Sequence, residues 1–341
     1  LQKREENELS QAFTAYNTRI VAPPHGSMLP MSPVRKNILM VACALGLLIP
    51  VVIIFICENM NTRVRGRKDL ESVTVPFIGE IPLFTRKKKG IFRKKPQEVR
   101  AIVVKEGSRD IINEAFRVLR TNLEFMTGKD KASNVIIVTS FNPGSGKSFL
   151  TMNIAVSFAI KGKKVLVIDG DLRHGSASSY IDSPTKGLSD YLGGRIDNLN
   201  EIIVTNPKQK YLDILPVGTI PPNPTELLFD DRLKQVIDTV REQYEYVLID
   251  CPPIELVADT QIIEKLADRT IFVVRAGLLE LSMLAELEKI YGEKKYKNMS
   301  LILNGTEGSG GRYGYRYGYR YGYHYGYGSE YHYGSDEKYI E

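Results

Sequence analysis

The stretch NVIIVTSFNPGSGKSF (134–149) restricts the fold of this chain more than any other. It reads as a buried-type strand, NVIIVTS (134–140), and a glycine-rich turn, NPGSGKSF (142–149). A helix follows with Leu150, Ile154 and Phe158 on one side, stopped by Gly162. Gly144 and Gly146 let backbone N–H groups curl round an anion at the positive end of that helix. Upstream, IINEAFRVLRTNLEFM puts Ile112, Phe116, Leu119 and Leu123 on one helical face.

Strand, glycine-rich turn and helix in this order are the context a P-loop requires. Lys147 supplies a point charge for the outer phosphates, and the Ser148 hydroxyl can ligate Mg²⁺. The candidate nucleotide-binding residues are Gly144, Ser145, Gly146, Lys147, Ser148 and Phe149. One position departs from the P-loop pattern, which begins with glycine where this chain has Phe141. Two further motifs agree with the reading. VLVIDGDLR (165–173) is a hydrophobic strand ending in Asp169 and Asp171, and YVLIDCPP (246–253) is another ending in Asp250. Each aspartate alone could be a strand-end cap. Carboxylates at the C-terminal ends of parallel strands face the ligand crevice of an open α/β sheet. Three strand ends carrying GKS, DGD and D form an arrangement that holds Mg²⁺ and a triphosphate. TIFVVRAG (270–277) and MSLILNG (299–305) add two core strands. The expected fold is therefore α/β, a doubly wound parallel sheet of at least five strands, P-loop NTPase-like.

ILMVACALGLLIPVVIIFIC (38–57) is twenty residues without a charge. At 1.5 Å per residue it covers roughly 30 Å, the hydrocarbon core of a bilayer, and Pro50 is tolerable within it. A net charge of +6 is unevenly placed: residues 61–110 hold fourteen Lys/Arg against six Asp/Glu. Arg63, Arg65, Arg67 and Lys68 follow the span at once, with RKKK (86–89) and RKK (93–95) behind. The positive-inside rule then puts the C-terminal side in the cytoplasm, with anionic lipid as an added partner of the basic runs. Three widely separated cysteines (Cys43, Cys57, Cys251) show neither zinc-site nor disulfide-framework spacing. The chain begins at Leu1 without a cleavable signal peptide, which suggests a piece of a longer protein. Its expected parts are 1–37, an extracytoplasmic helix end and Pro-rich approach; 38–57, the transmembrane helix; 58–108, a basic juxtamembrane linker; 109–307, the P-loop domain; and 308–341, a disordered Tyr-rich tail.

These motifs resemble the bacterial tyrosine autokinases (BY-kinases) of the polysaccharide co-polymerase type. The resemblance rests on SFNPGSGKS, VLVIDGDLR and YVLIDCPP as Walker A-like, A′ and B forms. GLSDYLGG (187–194), LPVGTIPPNPTELL (215–228), ADRTIFVVR (267–275) and EAFRVLR (114–120) also look like the family's. It implies an ATP/Mg²⁺-dependent protein-tyrosine kinase at the bacterial inner membrane, with its kinase domain and tail cytoplasmic, acting in capsular or exopolysaccharide polymerisation and export. Carried over, Lys147 binds the β/γ-phosphates. Ser148, Asp169 and Asp250 hold the metal. Asp171 helps set metal and water geometry, and Asp169 is the expected base. Glu114, Arg117 and Arg120 match the family's oligomerisation motif, although their spacing also suits ion pairs within one helix. The implied partners are further copies in a ring, the export machinery with its outer-membrane exporter, and a cognate tyrosine phosphatase. Two places depart from related patterns. Gly175 stands where the family often has proline, and Asn142–Pro143 replace the lysine–glycine pair of cell-division and partition ATPases, which argues against that class.

Beside a kinase, the tail becomes intelligible as substrate. Tyrosine occupies every second position from 313 to 327 (Tyr313, Tyr315, Tyr317, Tyr319, Tyr321, Tyr323, Tyr325, Tyr327), and Tyr331 and Tyr333 follow. An extended segment puts the regular series on one face, and glycine at every fourth residue works against stable structure. Each phosphate adds about −1.5 to −2 charge, so full phosphorylation is expected to make tails repel and to dissolve a ring. Interleaved tyrosine and arginine also suit single-stranded nucleic acid, but the chain offers no folded nucleic-acid module, and nucleic acid is not an expected partner. The alternatives of other classes are an ATP-binding scaffold or chain-length regulator without kinase flux, and a partition-type membrane ATPase.

Overall fold

The structure, a computed structural model, describes residues 2–15, 26, 34–84, 101–127, 134–207, 209–254 and 258–307. The tail tyrosines, both basic runs at 86–95 and most of the Pro-rich approach lie outside the described residues. The chain divides into two compact units, 1–61 and 62–341.

The first unit contains α1 (Gln2–Ala15) and α2 (Arg35–Asn59), the second running through Pro50 without interruption. Over Arg35–Ile56, α2 is long and apolar enough to cross a membrane. Its large side chains are exposed, Leu39 at 73% and Phe55 at 68%. An all-round apolar surface of this kind is stable in lipid rather than water.

The second unit is a three-layer α/β/α domain. In chain order its elements are β1 (Phe77–Pro82), α3 (Ile111–Thr127), β2 (Val135–Thr139), α4 (Lys147–Ile160), β3 (Val165–Asp169), α5 (Leu188–Leu192), β4 (Val204–Thr205) and β5 (Leu212–Leu215). Then come α6 (Pro224–Phe229), α7 (Asp231–Gln243), β6 (Tyr246–Asp250), α8 (Asp259–Glu264), β7 (Arg269–Arg275), α9 (Met283–Gly292) and β8 (Ser300–Thr306). The strands form one eight-stranded sheet in the order β1-β8-β7-β2-β6-β3-β5-β4. Every pairing is parallel except β4 with β5. Alternate strand residues point to opposite faces. Ile136, Val138, Val167, Leu248 and Ile302 meet Phe116, Leu119 and Leu123 of α3 together with α4. Ile137, Ile168, Ile249, Val274 and Leu303 meet Val236, Ile237 and Val240 of α7 and Leu287 of α9. Both faces are covered, so the strands are apolar throughout, as parallel strands must be. The doubly wound parallel sheet expected from the motifs is present.

Two sequence expectations change. Helix α4 is buried on all sides from Leu150 to Ala159 rather than along one stripe, because it lies between the sheet and α3. The stretch 58–108 is not simply a linker. Val64, Leu70, Val75, Ile78 and Ile81 are all at most 6% exposed, and residues 77–82 form the edge strand β1, parallel to β8. Farther on, the N–H groups of Val103 and Val104 donate to Oδ1 of buried Asn153 at 2.8 and 3.2 Å. The strand escaped notice because Pro76 and Pro82 bound it and basic residues surround it. Proline is tolerated at a sheet edge, where one side of the backbone needs no partner.

Candidate nucleotide-binding site

Strand β2 delivers the glycine-rich turn to the C-terminal edge of the sheet, between β6 and β7. Gly144 and Gly146 have φ of 74° and 86°, a left-handed region that L side chains rarely enter. Gly146 caps α4 and accepts the Leu150 N–H at 3.0 Å. Inside the turn, the Ser140 and Ser145 hydroxyls both donate to the Asn142 carbonyl at 2.8 Å. Lys147 is 9% exposed, and its Nζ donates to Ser140 Oγ at 3.3 Å. The ammonium is thus folded back along the loop that it would serve. Phe141, the departure from the P-loop pattern, is 2% exposed and meets Phe272 edge-on with centroids 4.9 Å apart. The first turn position has become a core anchor, a ring contact contributing about 0.5–1.5 kcal/mol beyond its burial.

The acidic strand tips lie beside this turn. Asp169 and Asp250 are register partners on neighbouring β3 and β6. Gly170 is what lets those tips approach: a Cβ there would meet Ile249 Cγ2 at 3.0 Å and the Asp250 carbonyl at 3.1 Å. Asp169 is wholly buried and Asp250 is 1% exposed. Oδ2 of Asp169 accepts from the N–H and hydroxyl of Ser178 at 2.6 and 2.7 Å. The Ser148 hydroxyl lies beside Asp250 and favours its ionised form. Oδ1 of each carboxylate is buried without a hydrogen-bond partner. Burial pushes the Asp250 carboxyl up to about 8, helped by the neighbouring Asp169 charge. Burial likewise raises Asp169, against the two Ser178 hydrogen bonds. Two adjacent carboxylates with unspent oxygens and a serine hydroxyl alongside suit a cation. Among the described residues no group of three or more His, Cys, Asp or Glu could hold a metal. Mg²⁺ usually takes only one or two carboxylates, completing its shell with water and phosphate, so Ser148, Asp169 and Asp250 remain a fitting set.

The other candidates divide. Asp171 accepts the N–H groups of Arg173 and His174, both at 3.2 Å, and so shapes the loop after β3. Gly175 in that loop has φ of 58°, a value closed to proline. The ring of Phe149 packs edge-on against Phe116 at 6.0 Å, leaving its backbone, not its side chain, to serve the turn. Glu114 and Arg117 pair within α3, Arg117 also donates to the Ser108 carbonyl, and Arg120 donates to the Ser157 carbonyl at 2.7 Å. These three residues therefore have intrachain partners, of which only the Glu114–Arg117 pair follows from the i, i+3 spacing.

Sequence reasoning missed Ser178 and Asn304. Nothing near Ser178 marks it, since it reaches Asp169 only through the fold of the following loop. Asn304 had a signal, a polar side chain ending the apolar strand MSLILNG. It is 2% exposed, and its Nδ2 donates to the Ser145 carbonyl at 2.8 Å.

A profile described as an AAA domain matches residues 133–301. The tyrosine-protein kinase YwqD of Bacillus subtilis is 35% identical over 209 residues, covering 61% of this chain and 87% of that protein. The chain belongs to the bacterial tyrosine-protein kinase family. The Escherichia coli tyrosine-protein kinase etk is 31% identical over 290 residues, 82% of this chain and 39% of etk. The chain thus spans about two-fifths of the length of that longer relative. The solved kinase domain of Escherichia coli ETK superposes with a TM-score of 0.63 at 29% identity, covering 77% of this chain and all of that domain. Membership of this kinase family implies that the chain binds a nucleotide.

Proposed function

We propose that this chain is the membrane-anchored catalytic part of an ATP- and Mg²⁺-dependent protein-tyrosine autokinase. The observation that carries the reading is the pairing of Asp169 with Asp250. Both are buried at neighbouring strand tips, each has one unpartnered oxygen, and Ser148 and the Lys147-bearing turn lie beside them. Mg²⁺ bound there would neutralise phosphate charge and the two carboxylates alike. Lys147 steadies the outer phosphates. Asp169, already held by Ser178, takes the tyrosine proton, and Asp171 fixes the loop that carries Arg173 and His174. Phosphoryl transfer needs positioning and charge neutralisation more than covalent chemistry, so this short set suffices.

The acceptors in this reading are the tail tyrosines, Tyr313 to Tyr327 at every second position with Tyr331 and Tyr333, offered to a neighbouring copy. Helix α2 anchors the chain in the inner membrane. Arg63, Arg65, Arg67 and Lys68 keep the kinase domain on the cytoplasmic side, and residues 1–37 lie outside. A ring of copies, built in part on the α3 face of Glu114, Arg117 and Arg120, loosens as its tails gain phosphate. The process served is capsular or exopolysaccharide polymerisation and export, with an exporter and a tyrosine phosphatase as partners. The test is incubation of the chain with Mg-ATP, followed by an anti-phosphotyrosine blot of wild type beside Lys147→Met. Signal in wild type alone is expected. Absence of signal in both would favour an ATP-binding scaffold, and phosphate release without phosphotyrosine would favour an ATPase. Unchanged phosphotyrosine and assembly in a variant ending at Gly311 would refute the tail as substrate.

A further inference from the structure

We infer that Asn304 is a positioning residue of the nucleotide site, a lock on the orientation of the Ser145–Gly146 peptide. Its amide belongs to β8, a strand that contributes nothing to the glycine-rich turn in sequence. It nevertheless crosses to donate to the Ser145 carbonyl at 2.8 Å, a contact 159 residues apart in the chain. The side chain occupies the space that glycine leaves open. A Cβ on Gly146 would lie 2.2 Å from Asn304 Nδ2 and 3.8 Å from a guanidinium nitrogen of Arg275. Arg275 is the register partner of Asn304 on β7 and packs against Gly305, whose own absent Cβ would meet the guanidinium carbon at 2.5 Å. Glycine at 146 therefore serves two needs, the positive φ and the close approach of this amide.

The consequence follows from peptide geometry. A trans peptide is planar, with its C=O and N–H pointing in opposite directions. The carbonyl of Ser145 and the N–H of Gly146 belong to one such plane. Pinning that carbonyl toward β8 aims the Gly146 N–H the other way. Next to a glycine in the left-handed region, with few steric restraints on its backbone, this peptide is among the easiest in the turn to flip. A flip would replace a donor facing the anion with a carbonyl repelling it. Asn304 prevents this from outside the motif, so a phosphate meets a donor already aimed at it, with less ordering left to do on binding.

The inference rests on the nucleotide reading of the site, and its test separates the two. Titrate wild type, Asn304→Asp and Asn304→Ala with a fluorescent ATP analogue in Mg²⁺, and measure KM for ATP and kcat. Asn304→Asp keeps the shape but turns the donor into an acceptor facing a carbonyl. We expect its nucleotide affinity to fall about 10–100-fold and KM to rise in step, with kcat at saturating ATP reduced less than 5-fold. Asn304→Ser keeps a shorter donor and should bind more tightly than Asn304→Ala. This pair decides the matter if the aspartate variant does not fold. If aspartate and alanine variants bind nucleotide like wild type while melting lower, Asn304 is packing only and the inference is wrong. If wild type itself binds no nucleotide, the reading of the site fails instead.

Discussion

The most demanding consequence of the site is that neutralising one of its acids should stabilise the nucleotide-free chain. Asp250 is 1% exposed and shares a register position with the fully buried Asp169. Burial, assisted by Asp169, moves its carboxyl from an ordinary 3.8 to about 8. A carboxyl raised in the folded state holds a proton that the unfolded chain has already lost, so folding is penalised as pH rises from the unfolded value to the folded one. At pH 7 the gap amounts to an upper bound of about 4 kcal/mol, at 1.36 kcal/mol per unit. Asn at 250 keeps the volume, removes the charge and can donate toward the unpartnered Oδ1 of Asp169. Against this stands about 1–3 kcal/mol if one amide group lacks a partner. The net expectation is a gain of about 1–3 kcal/mol, or roughly 3–8 °C in melting temperature for a domain of this size.

The assay is calorimetry of wild type and Asp250→Asn in detergent without nucleotide, from pH 5 to pH 8. Wild-type stability should decline with rising pH across that window, by at most about 1.4 kcal/mol per pH unit from this one group. The variant should lack most of the slope and melt higher at the alkaline end. Mg-ATP should then reverse the order, stabilising wild type and leaving the variant almost unmoved, because the carboxylate that the cation would neutralise is gone. A variant melting below wild type at pH 8, or keeping the wild-type slope, would refute the claim that these acids are held at the expense of stability.

Three further outcomes can be checked by urea unfolding. Restoring the glycine of the P-loop pattern, Phe141→Gly, should cost about 3–5 kcal/mol, because the ring lost from Phe272 leaves a cavity beneath the turn. Gly175→Pro should cost at least about 2 kcal/mol, since φ of 58° is closed to proline and the bond from the Gly175 N–H to the Asp171 carbonyl would be lost. Ile81→Ala should cost about 2–5 kcal/mol as a buried edge-strand residue, whereas in a free linker it would cost nothing.

How much of this was legible follows from where each contact partner lies in the chain. The strand, glycine-rich turn and helix could be read because they follow one another within a few residues, and Asp169 and Asp250 stood out because each closes an apolar strand of its own. The doubly wound sheet could be read from apolar strands alternating with helices. Phe141 was visible as a departure, but its reason is Phe272 on β7, which no local pattern reveals. Ser178 and Asn304 act on atoms brought near by tertiary structure, and side chains of their kind are common at loops and strand ends. The pairing of Glu114 with Arg117 was open on spacing alone; within one chain the structure gives both residues, and Arg120, a partner.

Edge strand β1 matters beyond the correction it brings. Thr62 and Val64 exchange backbone hydrogen bonds with residues 277–281, the loop directly after Arg275. A few residues on, Ile81 pairs in register with Asn304, and the Leu83 N–H donates to the Thr306 carbonyl at 2.9 Å. The segment just after α2 in sequence thus flanks both strands whose ends support the Ser145–Gly146 peptide. A parallel edge strand is held mainly by its ladder and by the apolar side chains beneath it, here Ile78 and Ile81 against α3 and its neighbours. Losing those contacts would free β8 on one side and leave the backbone of Asn304 paired only to β7. Residues 62–83, read from sequence as part of a linker, are by this geometry a structural wall of the kinase domain, one strand away from the side chain that orients the phosphate turn.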